Sequence, residues 1–260
     1  MAIASAIEVM FVDARYWLLG RRLRSAGFKD KSYFEARFMV DPEGDSRFAP
    51  TEVLSRLQER FGLSEQATHT YRDVYLTKHS LAVYNGRRPD LRFRERLDED
   101  GSASKRAVQV MYTRSREVRD DRPGLYRCFA TLKEKFGYDF PTNQPMPWEP
   151  ADIPNAKVAR LVARLANAEG LKEVRFTRHV ARDPDGLFLS IDIPPQSPAP
   201  PGAYWLELKC RQKDLALLRE ASDYIAWKLP ARATTKTKCD ALWDGNQDSR
   251  KHVAAAEATT

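Results

Sequence analysis

The chain is poor in the residues that build disulfide frameworks, metal clusters and phosphate-cradling loops. Its three cysteines, Cys128, Cys210 and Cys239, are odd in number and widely separated, which argues against a disulfide scaffold and a cysteine-based zinc site. The four histidines, His69, His79, His179 and His252, are scattered, and no HExxH, GxGxxG or GxxxxGK[ST] run occurs. Zinc-protease, dinucleotide and P-loop chemistry lose their sequence support. Long apolar runs are missing too. In "MAIASAIEVMFVDARYWLLGRRLR", Glu8, Asp13 and Arg15 interrupt well before the roughly 18 residues that a membrane span requires. No basic segment precedes an uninterrupted apolar core, as a signal peptide would demand. A reducing cytoplasm is the expected compartment. Acid is also in deficit: 43 Lys and Arg face 36 Asp and Glu, a net charge of +7. The basic residues are spread along the chain rather than gathered in one block, which favours a polyanionic partner over a membrane anchor.

What is present is a succession of strand signals. "SYFEARFMV", "HTYRDVYLT", "LAVYN", "LRFRERL", "RAVQVMYTR", "LKEVRFTRHVAR", "LFLSIDI" and "AYWLELKC" are rich in aromatic and branched residues and end in turn chemistry such as "DEDG" and "DPDG". Three amphipathic helices are expected in "APTEVLSRLQERFG", "NAKVARLVARLANAEG" and "KDLALLREASDYIAWKL". With 260 residues, the expected organisation is one domain over 1–244, with 1–31 as an N-terminal extension packed on it and 245–260 as a disordered tail. The five prolines between Tyr138 and Ala156 read as a semi-rigid crossing.

The stretch "PDLRFRER" sets the functional question. Arg92, Arg94 and Arg96 share one face of a strand, and Leu91, Phe93 and Leu97 share the other. Adjacent arginines about 7 Å apart repel by roughly 2 kcal/mol at an effective dielectric near 20. Such a face is either solvated beside carboxylates or lines a cavity for a polyanion, because guanidinium forks match phosphate oxygens. Similar polar faces carry Glu35 and Arg37; Glu173, Arg175 and Thr177; Ser190 and Asp192; Glu207 and Lys209. An α+β fold follows: an antiparallel β-barrel of about eight strands, forming a tunnel with a polar lumen and helices outside.

The order of these motifs resembles the triphosphate tunnel metalloenzyme superfamily, and within it the polyphosphate polymerase (VTC) domain more than the CYTH branch. The resemblance spans Tyr33 to Leu242 and rests on "EARFMV", "YRDVYLTKHSLAVYNGRRPDLRFRER", "TRHVAR" with "LFLSIDI", "YWLELK" and "TTKTKCDAL". It implies phosphate ligands at Arg92 and Arg94, with Arg96 beside them, at Arg37 on the first strand, and at the late Lys238. It also implies a metal-binding carboxylate at Glu207 with Lys209 next to it, the pair expected to carry catalysis. Arg178 matches the family arginine by spacing, whereas strict alternation points to Arg175 and His179 instead. Arg114 is the expected further basic residue on "AVQVMYTRSR". Glu35, Asp192 and Glu207 are the expected ligands of one Mg²⁺ or Mn²⁺.

Two departures stand out. The CYTH opening E-x-E-x-K is here Tyr33, Glu35 and Arg37, and its later E-x-E is Glu207 and Lys209. The implied activity is metal-dependent phosphoryl transfer on a nucleoside triphosphate or polyphosphate, of polymerase or triphosphatase type. A catalytically reduced tunnel that only binds such anions is the first alternative. A basic RNA-associated protein is the second, disfavoured because no recognition-helix or RNP-like motif occurs.

Overall fold

The computed structural model describes residues 17–76, 90–118, 130–140, 150–165, 171–183, 186–195, 202–211 and 215–234. Helix α1 covers residues 17–25; α2 is Pro50–Phe61, α3 Ala156–Leu165 and α4 Leu215–Lys228. The strands are β1 Lys29–Val40, β2 Glu65–Leu76, β3 Asp90–Leu97, β4 Ala103–Val118, β5 Ala130–Phe140, β6 Leu171–Arg182, β7 Phe188–Ile193, β8 Tyr204–Cys210 and β9 Ala231–Ala233. Two of these strands, β5 and β9, go beyond the expected set. The expected strand "LAVYN" and the expected tail 245–260 lie outside the described residues.

Every pairing is antiparallel, in the order β5-β4-β3-β2-β6-β7-β8-β1-β9. A further pairing of β5 with β1, from Lys29↔Gly137 to Glu35↔Thr131, closes eight strands into a ring. Closure removes the exposed edges that an open sheet would present. The short β9 occupies the remaining part of the same β1 edge, opposite Phe38 to Val40.

The outer face is apolar and helix-covered. Ala36, Phe38, Val40, Leu189, Ile191, Leu206 and Leu208 pack with Val53, Leu54 and Leu57 of α2 and Leu218, Ala221 and Ile225 of α4. On the opposite side Val74, Leu91, Phe93, Val108, Val110 and Phe136 pack with Leu23 of α1 and Val158, Leu161 and Val162 of α3. Helix α2 illustrates the local logic. Pro50 opens it with its φ already set, its buried residues fall on one face, and Gly62 at φ 63° ends it while its N–H bonds the Gln58 carbonyl. Among the described residues no helix is long and apolar enough to cross a membrane.

Since alternate residues point to opposite faces, the partners of these apolar residues face the lumen. The first residues of β1, β2, β4 and β7 and the last of β3, β5, β6 and β8 form one rim, the mouth. A tight turn from Asp98 to Ser102 sits on this rim, with Gly101 at φ 82°.

Strand β6 runs against the sequence expectation. Val174, Phe176 and Arg178 are buried on its lumen side, while Glu173 and Arg175 face outward and are exposed. Outside the barrel, Arg72 bridges Glu95 and Glu173 at 3.2 and 3.0 Å, Arg106 bonds Glu95, and Arg175 bonds Glu173. These charges form a ladder across the outer faces of β4, β3, β2 and β6, and on β6 Val174 and Phe176 face the lumen instead.

Candidate functional site

The lumen brings together most of the side chains that the sequence singled out. On β2 and β3, Asp73 lies opposite Arg94, and Arg92 lies between Tyr75 and Gln109. The Arg94 guanidinium donates two bonds of 2.6 Å to the two Asp73 oxygens. Arg92 donates to Asp73 Oδ2 at 2.9 Å, to the Tyr75 hydroxyl at 3.0 Å and to Gln109 Oε1 at 2.9 Å. Asp73 is fully buried, so its two guanidinium partners are what make its charge tolerable there.

The opposite wall is built on β6, β7, β8 and β1. Arg178 holds Asp192 through a fork of 2.5 and 2.7 Å, and its Nη2 lies 3.6 Å from Glu207 Oε2. Lys209 Nζ donates to Glu207. Arg37 Nε donates to Glu35 and stands 4.0 Å from Glu207 Oε1. Burial pulls Arg37 down, but Glu35 and Glu207 outweigh it and hold the guanidinium above its ordinary value. Burial likewise opposes the Arg92 charge, and Asp73 more than restores it. Lys209 ends below the usual lysine range, because its burial exceeds what Glu207 and Glu35 return.

Two features were not found from sequence. The first is Lys135, brought into the lumen by β5. It forms no ion pair among the described residues; burial pushes its ammonium well below the ordinary lysine value, and Arg92, Arg94, Lys209 and Arg178 push it further. The second is an aromatic pair, Tyr71 and Phe176, stacked with centroids 5.6 Å apart. The Arg94 guanidinium lies 4.5 Å from the Tyr71 centroid, and Arg178 lies 5.6 Å from it. These contacts fix both arginines without using up their outward N–H groups. Asp73, within the quoted "YRDVYL", had no assigned role from sequence, and the geometry makes it the anchor of Arg92 and Arg94.

Arg96 sits nearer the mouth, where its Nε donates to Ser104 Oγ at 3.0 Å. With Lys29, Lys31, Arg94, Lys105, Gln109, Lys135 and Asp139 it lines a cavity of about 320 Å³. Arg114 lies on β4 opposite Leu132, but its side chain lies outside the described residues, as does all of Lys238. Of the two readings of β6, the structure puts Arg178 in the lumen; Arg175 and His179 face outward, His179 within 3.0 Å of Thr68 Oγ1.

Among the described residues, the inner lumen brings the cations Arg37, Arg92, Arg94, Arg178, Lys135 and Lys209 together with the carboxylates Glu35, Asp73, Asp192 and Glu207. Among the described residues no group of three or more His, Cys, Asp or Glu is placed to hold a metal ion. The expected trio of Glu35, Asp192 and Glu207 is therefore not assembled as a ready metal cage: Asp192 is committed to Arg178, while Glu35 and Glu207 converge on Arg37. Among the described residues the Ser190 hydroxyl and the Trp205 indole N–H, both buried, find no hydrogen-bond partner. Such donors are ordinarily satisfied by water or a ligand.

No family model and no curated protein matches the chain. Solved structures do. HpAC1 from Hippeastrum, designated an adenylyl cyclase and described as having a dominant triphosphatase activity, superposes with a TM-score of 0.52 at 13% identity, over 82% of this chain and 96% of that one. PH1819 from Pyrococcus horikoshii OT3 gives 0.45 at 16% identity over 81% and 98%, and the inorganic triphosphatase NE1496 gives 0.33 at 14% over 79% and 88%. The fold assignment rests on the first of these. This chain, an antiparallel ring of strands around a charged lumen, shares the fold of HpAC1.

Proposed function

We propose that the lumen binds the triphosphate group of a nucleoside triphosphate or short polyphosphate and that the protein is a metal-dependent triphosphatase. One observation carries the reading: Lys135 lines the lumen cavity beside Arg94 and Arg96, forms no ion pair among the described residues, and is disfavoured as an ammonium by burial and by Arg92, Arg94, Lys209 and Arg178, so that a bound anion would relieve it. The triphosphatase activity described for HpAC1 agrees with it. Narrowing the resemblance to the polymerase branch finds no such support.

Phosphoryl transfer asks for cations fixed on the phosphate oxygens and an in-line approach, not for a protein nucleophile. Arg92, Arg94, Arg178, Lys135 and Lys209 would hold those oxygens, and the Asp73 and Asp192 forks keep the arginines oriented before the anion arrives. The donor set suits one hard cation of modest protein ligation. Glu35 and Glu207 already share a single positive group, Arg37, and Mg²⁺ is commonly held by one or two carboxylates with phosphates and waters completing its shell. A bound Mg²⁺ or Mn²⁺ would supply charge neutralisation at the phosphate oxygens. The lumen walls limit the water that competes for them.

The second reading, a tunnel that only binds triphosphate, is favoured by the engagement of Glu35, Asp73, Asp192 and Glu207 with cations. Phosphate release from tripolyphosphate and ATP with Mg²⁺ or Mn²⁺, repeated on Glu207→Gln, separates the two. The expected outcome is turnover by the wild type, a loss of two or more orders of magnitude in the variant, about 3 kcal/mol of transition-state stabilisation, and retained metal-free binding. Binding without turnover in the wild type would leave the second reading standing.

A further inference from the structure

The sequence scatters its basic residues, but the fold gathers six of them on one outer face. Helices α1 and α3 lie over the same part of the sheet, Leu23 of α1 and Val158, Leu161 and Val162 of α3 sharing one buried cluster with Val108, Val110 and Phe136. The Lys157 ammonium joins the two helices by donating to the Ser25 carbonyl. With the apolar residues turned inward, Arg21, Arg22 and Arg24 of α1 and Lys157, Arg160 and Arg164 of α3 are left exposed. Neither helix contains an Asp or Glu. The other two helices are balanced: α2 sets Arg56 and Arg60 against Glu52 and Glu59, and α4 sets Arg219 and Lys228 against Glu220 and Asp223. The helical surface is therefore strongly positive on one side of the barrel only.

The same face exposes apolar surface. Among the described residues three large hydrophobic side chains stand in solvent, and two of them, Trp17 at 54% exposure and Leu18 at 44%, lie in the first described turn of α1. Helical spacing puts Trp17 in one row with Arg21 and Arg24, and Leu18 in the next row with Arg22. The Arg21 guanidinium lies 5.7 Å from the Trp17 ring centre, and Arg24 pairs with Asp30 at 2.9 Å. The third exposed side chain, Trp227, sits on the charge-balanced α4. Cations and exposed apolar groups thus coincide on the α1/α3 face.

We propose that the α1/α3 face docks on the surface of a bilayer containing anionic lipids, its six basic side chains at the headgroups and Trp17 and Leu18 at the boundary between headgroups and acyl chains. The inference does not depend on what the lumen binds. Clustered Lys and Arg are drawn to the negative potential of such a surface, each adding to the attraction, and guanidinium forks suit lipid phosphates. An indole and an aliphatic side chain beside those cations gain by leaving water at the same interface. That second term selects the partner. A nucleic acid backbone would satisfy the arginines equally well but would leave Leu18 in water. Docking of this kind is peripheral and needs no spanning segment.

The test is co-sedimentation of the full chain with vesicles of phosphatidylcholine, with and without about one-third phosphatidylglycerol, at about 0.1 M salt. The expected result is binding to the anionic vesicles alone, weakened as salt is raised. The double variant Arg21→Glu with Arg160→Glu should bind at least about tenfold more weakly, and Trp17→Ala with Leu18→Ser should lose several-fold while keeping the salt dependence. Arg60→Glu with Lys228→Glu makes the same change in net charge on the α2 and α4 side, and binding should stay within about twofold. Absence of binding to the anionic vesicles, or equal loss from the two charge-reversal pairs, would overturn the proposal. So would tighter binding to single-stranded RNA than to vesicles, lost with Arg21→Glu and Arg160→Glu, which would assign the face to nucleic acid. Vesicle binding unaffected by Trp17→Ala with Leu18→Ser would remove the apolar contact on which the choice of a bilayer rests.

Discussion

Lys135 is a poorly accommodated charge when nothing is bound. Burial and then Arg92, Arg94, Lys209 and Arg178 all disfavour its ammonium form. A lysine whose folded-state value is depressed is less protonated in the folded than in the unfolded chain. Stability then rises with pH across the window between the depressed value and the ordinary lysine value near about 10.4, and falls as pH drops through that window. Replacing the lysine by an apolar side chain of similar length should remove this contribution. Lys135→Met is expected to melt higher than wild type below that window and to show a shallower rise of melting temperature with pH. It should also bind tripolyphosphate about 10- to 100-fold more weakly, having lost a charge-assisted bond of roughly 1.5 to 3 kcal/mol. Thermal melts across pH and a calorimetric titration check both halves; a variant that is less stable and binds normally would show that Lys135 is a structural residue. Asp73 gives the opposite case. Because it neutralises both Arg92 and Arg94, simple truncation of either would strip a buried carboxylate of a partner and cost about 3 to 5 kcal/mol of stability. Asp73→Asn is the cleaner probe, expected to lower the melting temperature yet tighten anion binding by freeing two guanidiniums.

Strands β5 and β6 decide how much of the site could be read in advance. β5 carries Phe136, Tyr138 and Phe140 at every second position, a strand signal that the polar run "KEKFG" and the internal Gly137 obscured. Missing β5 meant missing Lys135 and the pairing that closes the ring. β6 was recognised as a strand, but its faces were exchanged. Taking Glu173, Arg175 and Thr177 as the lumen face follows the rule that apolar residues turn toward the helices, and that rule fails where the lumen itself holds the apolar cluster of Val174 and Phe176 with Tyr75 and Met111. The family spacing pointed to Arg178 and alternation pointed to Arg175; the first agrees with the structure because the outer ladder of Arg72, Glu95, Glu173 and Arg175 takes up the charges of the other face. By contrast, β1, β3, β7 and β8 were legible since each alternates cleanly between a helix-covered apolar face and a polar lumen. A pair of substitutions on β6 tests the exchange. Arg175→Ala alters only an exposed ion pair, worth at most about 0.5 kcal/mol, so tripolyphosphate affinity should stay within about twofold. Arg178→Lys keeps the charge that Asp192 requires but loses the fork, and affinity should fall about tenfold. Equal effects in titration would put both side chains outside the binding surface.

Taken as one body, the molecule separates its charges by face: a paired ladder outside the ring and an excess of cations within it. The outer pairs are spent on each other, whereas the lumen retains two more cations than carboxylates among the groups named above. That surplus, rather than the net charge of +7, should govern anion selectivity. A ligand that binds only the folded state at about 100 times its dissociation constant stabilises it by about 2.7 kcal/mol, which for a chain of this size corresponds to a rise in melting temperature of roughly 5 to 10 °C. Tripolyphosphate should produce such a rise, and the rise should shrink between about 0.1 and 1 M salt, as the Debye length falls from about 10 to about 3 Å and added anions compete for the mouth. Sulfate at matched ionic strength carries too few oxygens to span both walls, from Arg92 and Arg94 on one side to Arg178 and Lys209 on the other, and should raise the melting temperature far less. If sulfate matches tripolyphosphate, the two walls do not act on one ligand, and the lumen is a collection of separate anion contacts on a rigid barrel.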